Sequence, residues 1–267
     1  MKRILALMVG LVLFAGCGAA EMGELETTVK EATTAAPAPT NTLGGERFPL
    51  FAELPEDDLQ VYGILGENYQ QGMVLFHEGR ETYFSGWGFT FFGCYPELAY
   101  RDFDGDGKKD IGAITLRNHG SGTHATDLHI ITVEETKWPN SIDIDDDTIY
   151  YSTYEYIDHV FTIEEVRAWF DKNLASKWGK QAGSLEVTIG GKSFSLALDP
   201  EQSWQGNVRT RDIVSFGFEG GNIQLNVGVG VPIEDMPSGV YIGFFTANVT
   251  FDGKEFHIEI IDFEPEE

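Results

Sequence analysis

Apolar and polar side chains alternate along most of this chain with a period of two. Ile223, Leu225, Val227, Val229 and Val231 alternate with Gln224, Asn226, Gly228 and Gly230, the pattern of a half-buried strand. Residues 241–249 predict a second such strand, and 256–263 a third that closes the sheet. Val187–Phe194 and Val249–Phe256 share a pattern, and each predicts a β-hairpin with a two-residue, glycine-containing turn. Shared turn chemistry explains that echo as well as a duplication does. Nearer the start, Leu59 and Val61, Met73–Phe76, Tyr83–Phe84 and Trp87–Phe92 form short apolar runs broken by glycines, which suit strands and tight bends. One stretch breaks the period. Val166, Phe170 and Leu174 fall four apart, and Ile163 and Trp169 widen the stripe. Thr162 and Glu165 have the spacing of a capping box, with Phe161 placed to staple onto Val166. The helix is predicted from Ile163 to about Trp178, stopped by Gly179. These patterns predict a mostly β (α+β) fold, with antiparallel sheets, short hairpins and one covering amphipathic helix. Any division into two subdomains falls near residues 134–160.

The candidate chemistry centres on Asp102-Phe103-Asp104-Gly105-Asp106-Gly107-Lys108-Lys109-Asp110. Carboxylates stand at loop positions 1, 3, 5 and 9, with a glycine at position 6, a spacing that suits a hard cation with oxygen ligands. Asp102, Asp104, Asp106 and Asp110 are the predicted carboxylate ligands, and Lys108 offers its backbone carbonyl from position 7. Ca2+ is the predicted occupant, since the loop holds no thiolate or imidazole to favour zinc or copper. Position 12 is Ala113 where an EF-hand needs a bidentate glutamate, and the flanks read as strand. The run Tyr100–Leu116 resembles the Asp-x-Asp-x-Asp-Gly-x-x-Asp loops of FG-GAP or VCBS-like (integrin-type) extracellular repeats. That resemblance implies a calcium-pinned turn leading into a β-strand; with no second good copy, it does not imply a propeller.

At the N-terminus, Lys2 and Arg3 precede a short apolar core, Ile4–Ala15, which ends in Phe14-Ala15-Gly16-Cys17. This resembles a bacterial lipoprotein signal, which implies cleavage after residue 16, lipidation of Cys17 and a place on the extracytoplasmic side of the cell envelope, with the lipid bilayer as partner. Residues 17–45 are rich in Ala, Thr, Pro and Glu with hardly a large apolar side chain, and read as a flexible tether. The domain proper then spans 46–267.

Charge narrows the partners. The chain has 43 acidic against 18 basic side chains, a formal net charge of −25, which repels nucleic acid and anionic headgroups. With Cys17 carrying lipid, Cys94 has no disulfide partner within the chain and reads as a buried, inert thiol. The polar stretch 118–129 gathers His119, Ser121, Thr123, His124, Asp127 and His129, but it lacks the spacing of a nucleophile elbow or a phosphate-binding loop. Asp143, Asp145, Asp146 and Asp147 read as a solvated acidic loop. Two functions compete. One is a membrane-anchored, calcium-binding lipoprotein with a structural or binding role, and no catalytic residue. The other is a secreted metal-assisted hydrolase that uses the 118–129 stretch.

Overall fold

Strands form nearly everywhere the period-two pattern occurs. The computed structural model describes residues 41–43, 46–65, 70–87, 94–139, 150–234 and 236–266. The signal stretch, Cys17, most of the tether and the Asp143–Asp147 cluster lie outside the described residues. In chain order the strands are β1 (Asn41–Leu43), β2 (Glu46–Phe48), β3 (Leu50–Leu54), β4 (Leu59–Leu65), β5 (Gln70–His77), β6 (Arg80–Phe84), β7 (Glu97–Arg101), β8 (Asp110–Gly120), β9 (Thr123–Pro139) and β10 (Tyr150–Phe161). Helix α1 (Ile163–Asn173) follows, then β11 (Ala175–Trp178), β12 (Ser184–Ile189), β13 (Lys192–Ala197), β14 (Arg209–Glu219), β15 (Asn222–Ile233), β16 (Met236–Phe251) and β17 (Phe256–Pro265). The fold is mostly β with one covering α-helix, as the periodicity predicts.

β3–β6 form a four-stranded antiparallel meander. The large sheet runs β17-β16-β15-β14-β9-β8-β7, with β10 also paired to β9. Apart from one short parallel contact between β14 and β9, its neighbours are antiparallel. That contact makes β9 the junction of the molecule. One edge of β9 carries β8; the other carries β14 at His124–Ala125 and then β10 from Leu128 onward. Between these two partners, side chains take over the ladder. The Phe216 N–H donates to Thr126 Oγ1 at 2.9 Å, and the Ile163 N–H donates to Asp127 Oδ1 at 3.1 Å. Buried backbone donors at the fork are thus satisfied.

The two faces of β8 and β9 serve two cores. Ile114, Leu128 and Ile130 join the larger one with Phe170, Val187, Leu225 and Phe245, beneath α1 and the β11–β13 sheet. Ile111, Ala113 and Ile131 point the other way, into a smaller core with Leu59, Val61, Met73, Leu75 and Trp87. Of the aromatic run before the acidic loop, Phe84 and Trp87 belong to this smaller core, stacked at 4.6 Å, and residues 88–93 lie outside the described residues.

The helix starts where predicted and ends early. Thr162 Oγ1 accepts from the Glu165 N–H at 3.2 Å, and Glu165 Oε2 accepts from the Thr162 N–H at 2.8 Å, a complete capping box. Val166 and Phe170 are fully buried. Leu174 leaves helical geometry, and Ala175–Trp178 form β11 on β12 instead of a last helical turn. Tertiary hydrogen bonds explain the change, since Ser176 Oγ accepts from the Val208 N–H at 3.1 Å and Trp178 Nε1 donates to the Gly206 carbonyl at 2.9 Å. We expect Thr162→Ala to lower stability by about 0.5–2 kcal/mol, measured as the shift in the urea midpoint.

The two echoed hairpins also part company. Gly190 and Gly191, with φ of 55° and 79°, make the predicted two-residue turn between β12 and β13. Between β16 and β17 the connection is four residues, Asp252–Glu255, because Asp252 Oδ1 accepts from the Lys254 and Glu255 N–H groups and widens the turn.

Candidate metal centre

The acidic loop joins β7 to β8, and the pair Arg101↔Asp110 closes it at its base. Inside, the carboxylates fold the backbone around themselves. Asp102 accepts from the Gly105 N–H at 2.6 Å and from the Gly107 N–H at 3.0 Å. Asp104 accepts from the Asp106 N–H at 3.0 Å, and Asp106 from the Lys108 N–H at 2.7 Å. Gly105 and Gly107 hold φ of 80° and 87°, which only glycine adopts readily. The result is that one carboxylate oxygen from each of Asp102, Asp104 and Asp106 lies within 4.8 Å of the others. Such a cluster can coordinate a divalent cation.

The remaining predicted ligands sit differently. Asp110 is buried at the base of the loop, where Oδ2 accepts from the Phe103 N–H at 3.0 Å. Burial, with Asp104, Asp106 and Asp102 nearby, pushes its carboxyl up to about 6 against the pull of that N–H. A cation among these groups acts in the opposite direction. The Lys108 ammonium is exposed and meets Asp106 Oδ2 at 3.3 Å.

Phe103 roots the loop in the protein. Its ring lies 5.7 Å from that of Phe218, and the Arg101 guanidinium sits over it at 4.5 Å. Both phenylalanine rings cover Gly112, where a β-carbon would fall 2.6 Å from Phe103 Cζ and 2.7 Å from Phe218 Cζ. On the far side, the Asp252–Glu255 turn approaches so closely that a β-carbon on Gly253 would fall 3.3 Å from Asp104 Oδ2. We expect Gly112→Ala to cost about 1–3 kcal/mol by overpacking and to weaken cation binding as Phe103 shifts, both read by calorimetry.

The 118–129 stretch is a hairpin tip and the strands beside it. β8 extends to Gly120 and β9 begins at Thr123, so only Ser121 and Gly122 turn. The tip is about 30 Å from the acidic loop, since the length of β8 separates them. Asp127 is buried and occupied by the helix start and by Arg117 at 3.7 Å. Burial raises its pKa, with the Ile163 N–H and Arg117 opposing. The stretch therefore brings His119 and His124 together and sets Asp127 apart.

Sequence reasoning missed one constellation. Thr115 Oγ1 lies 3.1 Å from His129 Nε2, and His129 Nδ1 lies 3.1 Å from both oxygens of Asp158. Trp87 Nε1 donates to Asp158 Oδ2 at 2.9 Å. Hydroxyl, imidazole and carboxylate follow one another as in a nucleophile, base and orienting acid. Thr115 is 0% and His129 3% exposed, so no substrate reaches either. Thr115 faces Asp127 and His129 faces Ala113 across β8 and β9, a diagonal relation that only the register makes visible. The network instead fastens the segment after β6 to the large sheet. Comparison of the chain with family models, curated proteins and solved structures finds no match.

Proposed function

We propose that this chain is a divalent-cation-binding β domain of the cell envelope, with Ca2+ held by Asp102, Asp104, Asp106, Asp110 and the Lys108 carbonyl. The observation that carries the reading is the convergence of three carboxylates within 4.8 Å, on a loop braced by their own hydrogen bonds. Oxygen-only ligands favour Ca2+ over softer ions. Without a glutamate at position 12, Kd is on the order of 10⁻⁴–10⁻³ M, the range of extracellular modules. Attachment through an acylated Cys17 belongs to the same proposal and rests on the Lys2–Cys17 sequence. Among the described residues no helix is long and apolar enough to cross a membrane.

The geometry lends more support to the metal than to the anchor, and so favours the metal-assisted hydrolase over membrane attachment as such. Asp102 and Asp106 are exposed, which leaves a bound cation open to water and substrate on one side. The sequence assigns that second reading to the 118–129 stretch, but its 118–124 tip is about 30 Å from the acidic loop and too distant to act on a cation there, so the reading rests on the acidic loop alone.

Titration calorimetry of the full chain in detergent at physiological salt tests the proposal. One Ca2+ should bind the parent stoichiometrically, and Asp104→Ala should abolish that site while diffuse weak binding to the acidic surface persists. Equal binding by parent and variant would show the loop to be an acidic connector. Intact mass decides the anchor separately, because a mature N-terminus other than acylated Cys17 excludes it.

A further inference from the structure

At the end of β8 away from the acidic loop, His119 and His124 face each other directly across the β8–β9 hairpin. Their Nδ1 atoms are 3.4 Å apart and the two rings stand at 90°. Zinc–imidazole bonds of about 2.0–2.1 Å at a tetrahedral angle place two ligand nitrogens about 3.3–3.4 Å apart. The Nδ1–Nδ1 contact is a hydrogen bond, one Nδ1–H donating to the other Nδ1; with both rings in the Nε2–H tautomer an ion takes the place of the shared proton and draws on both lone pairs.

We propose that His119 and His124 form a second metal site, a two-imidazole chelate for a late first-row divalent ion such as Zn2+. It is independent of the acidic loop in position, ligand type and metal preference. Imidazole pairs suit Zn2+, Cu2+ and Ni2+, whereas carboxylate sites suit Ca2+ and Mg2+.

Three features prepare the pair. First, the tip is held in place even though it is exposed. The Tyr241 hydroxyl donates to the Gly122 carbonyl at 3.2 Å, and β14 pairs with β9 at Ile213↔His124. Ordering the ligands beforehand lowers the entropic cost of binding. Second, a register shift between Leu116 and Asn118 marks a bulge just before the pair, a device that re-aims side chains at a strand end. Third, His124 is half-buried, so one of the two ligands is already partly ordered before an ion arrives. His119 is exposed, which leaves the ion's other positions to water or to a ligand from a partner.

The experiment is Zn2+ titration of the full chain, free of any polyhistidine tag, in tens of millimolar Ca2+, which keeps the acidic loop occupied. The parent should bind one Zn2+. His119→Ala and His124→Gln should each weaken it by about 10–100-fold or more, since changing even an outer-shell partner of a metal costs that much. Asp104→Ala should leave it unchanged. With Cu2+ as a spectroscopic probe, the parent should show nitrogen hyperfine coupling from two imidazoles, and each histidine variant should lose one. Equal Zn2+ affinity in parent and histidine variants overturns the proposal. So does loss of Zn2+ binding in Asp104→Ala, or a Cu2+ signal with oxygen ligands only. Both substitutions are at a surface tip, and an unchanged melting curve confirms that the variants are folded.

Discussion

Asp158→Ala should be the most destabilising single change in the buried polar network. Asp158 accepts from Trp87 Nε1 at 2.9 Å and partners His129 Nδ1 at 3.1 Å. Truncation leaves two donors facing a core, and each buried donor without an acceptor costs about 1–3 kcal/mol. The two share one partner, so their costs need not add. For a domain of this size each kcal/mol lowers Tm by about 2–4 °C. The smaller core, which Trp87 shares with Leu59, Met73 and Ile131, should loosen first. Hydrogen exchange should therefore quicken in β3–β6 more than in β15–β17. Asp158→Asn keeps one acceptor oxygen and should lose less. Melting and exchange curves of Asp158→Ala that overlay the parent's would show that the network contributes little.

That network also marks where the sequence stops being informative. Period-two alternation identifies Ile223–Val231 as a strand because its apolar set faces a single core. β8 is different. Ile111 and Ala113 serve one core and Ile114 the other, so its apolar run carries no alternation to read. Thr115, His129 and Asp158 come from three strands, and their meeting depends on a register set far away. Local chemistry is legible wherever neighbours in sequence make the contact. The capping box at Thr162 and the Asp102–Asp110 turn both meet that condition. The end of α1 does not, because Ser176 and Trp178 answer to Val208 and Gly206.

Calcium should raise the stability of the parent and leave Asp104→Ala without that specific gain. An ion that binds only the folded chain contributes about 2.7 kcal/mol at one hundred times its Kd and only about 0.4 kcal/mol near its Kd. Tens of millimolar Ca2+ are thus needed for the full effect if Kd is on the order of 10⁻⁴–10⁻³ M. At such concentrations a chain of net charge −25 also gathers cations diffusely, and its melting point rises for that reason alone. Mg2+ at equal concentration screens the same surface but fits a flexible oxygen loop poorly, so the Ca2+-minus-Mg2+ difference isolates the specific term. In the parent that difference should be positive and grow with concentration; in Asp104→Ala it should vanish. The loop's roots predict where the gain appears. Phe103 packs on Phe218 in β14, and the β16–β17 turn lies against Asp104, so calcium should slow exchange there as well as at residues 102–110. Protection confined to the loop itself would show that the ion braces a surface turn and nothing beyond it.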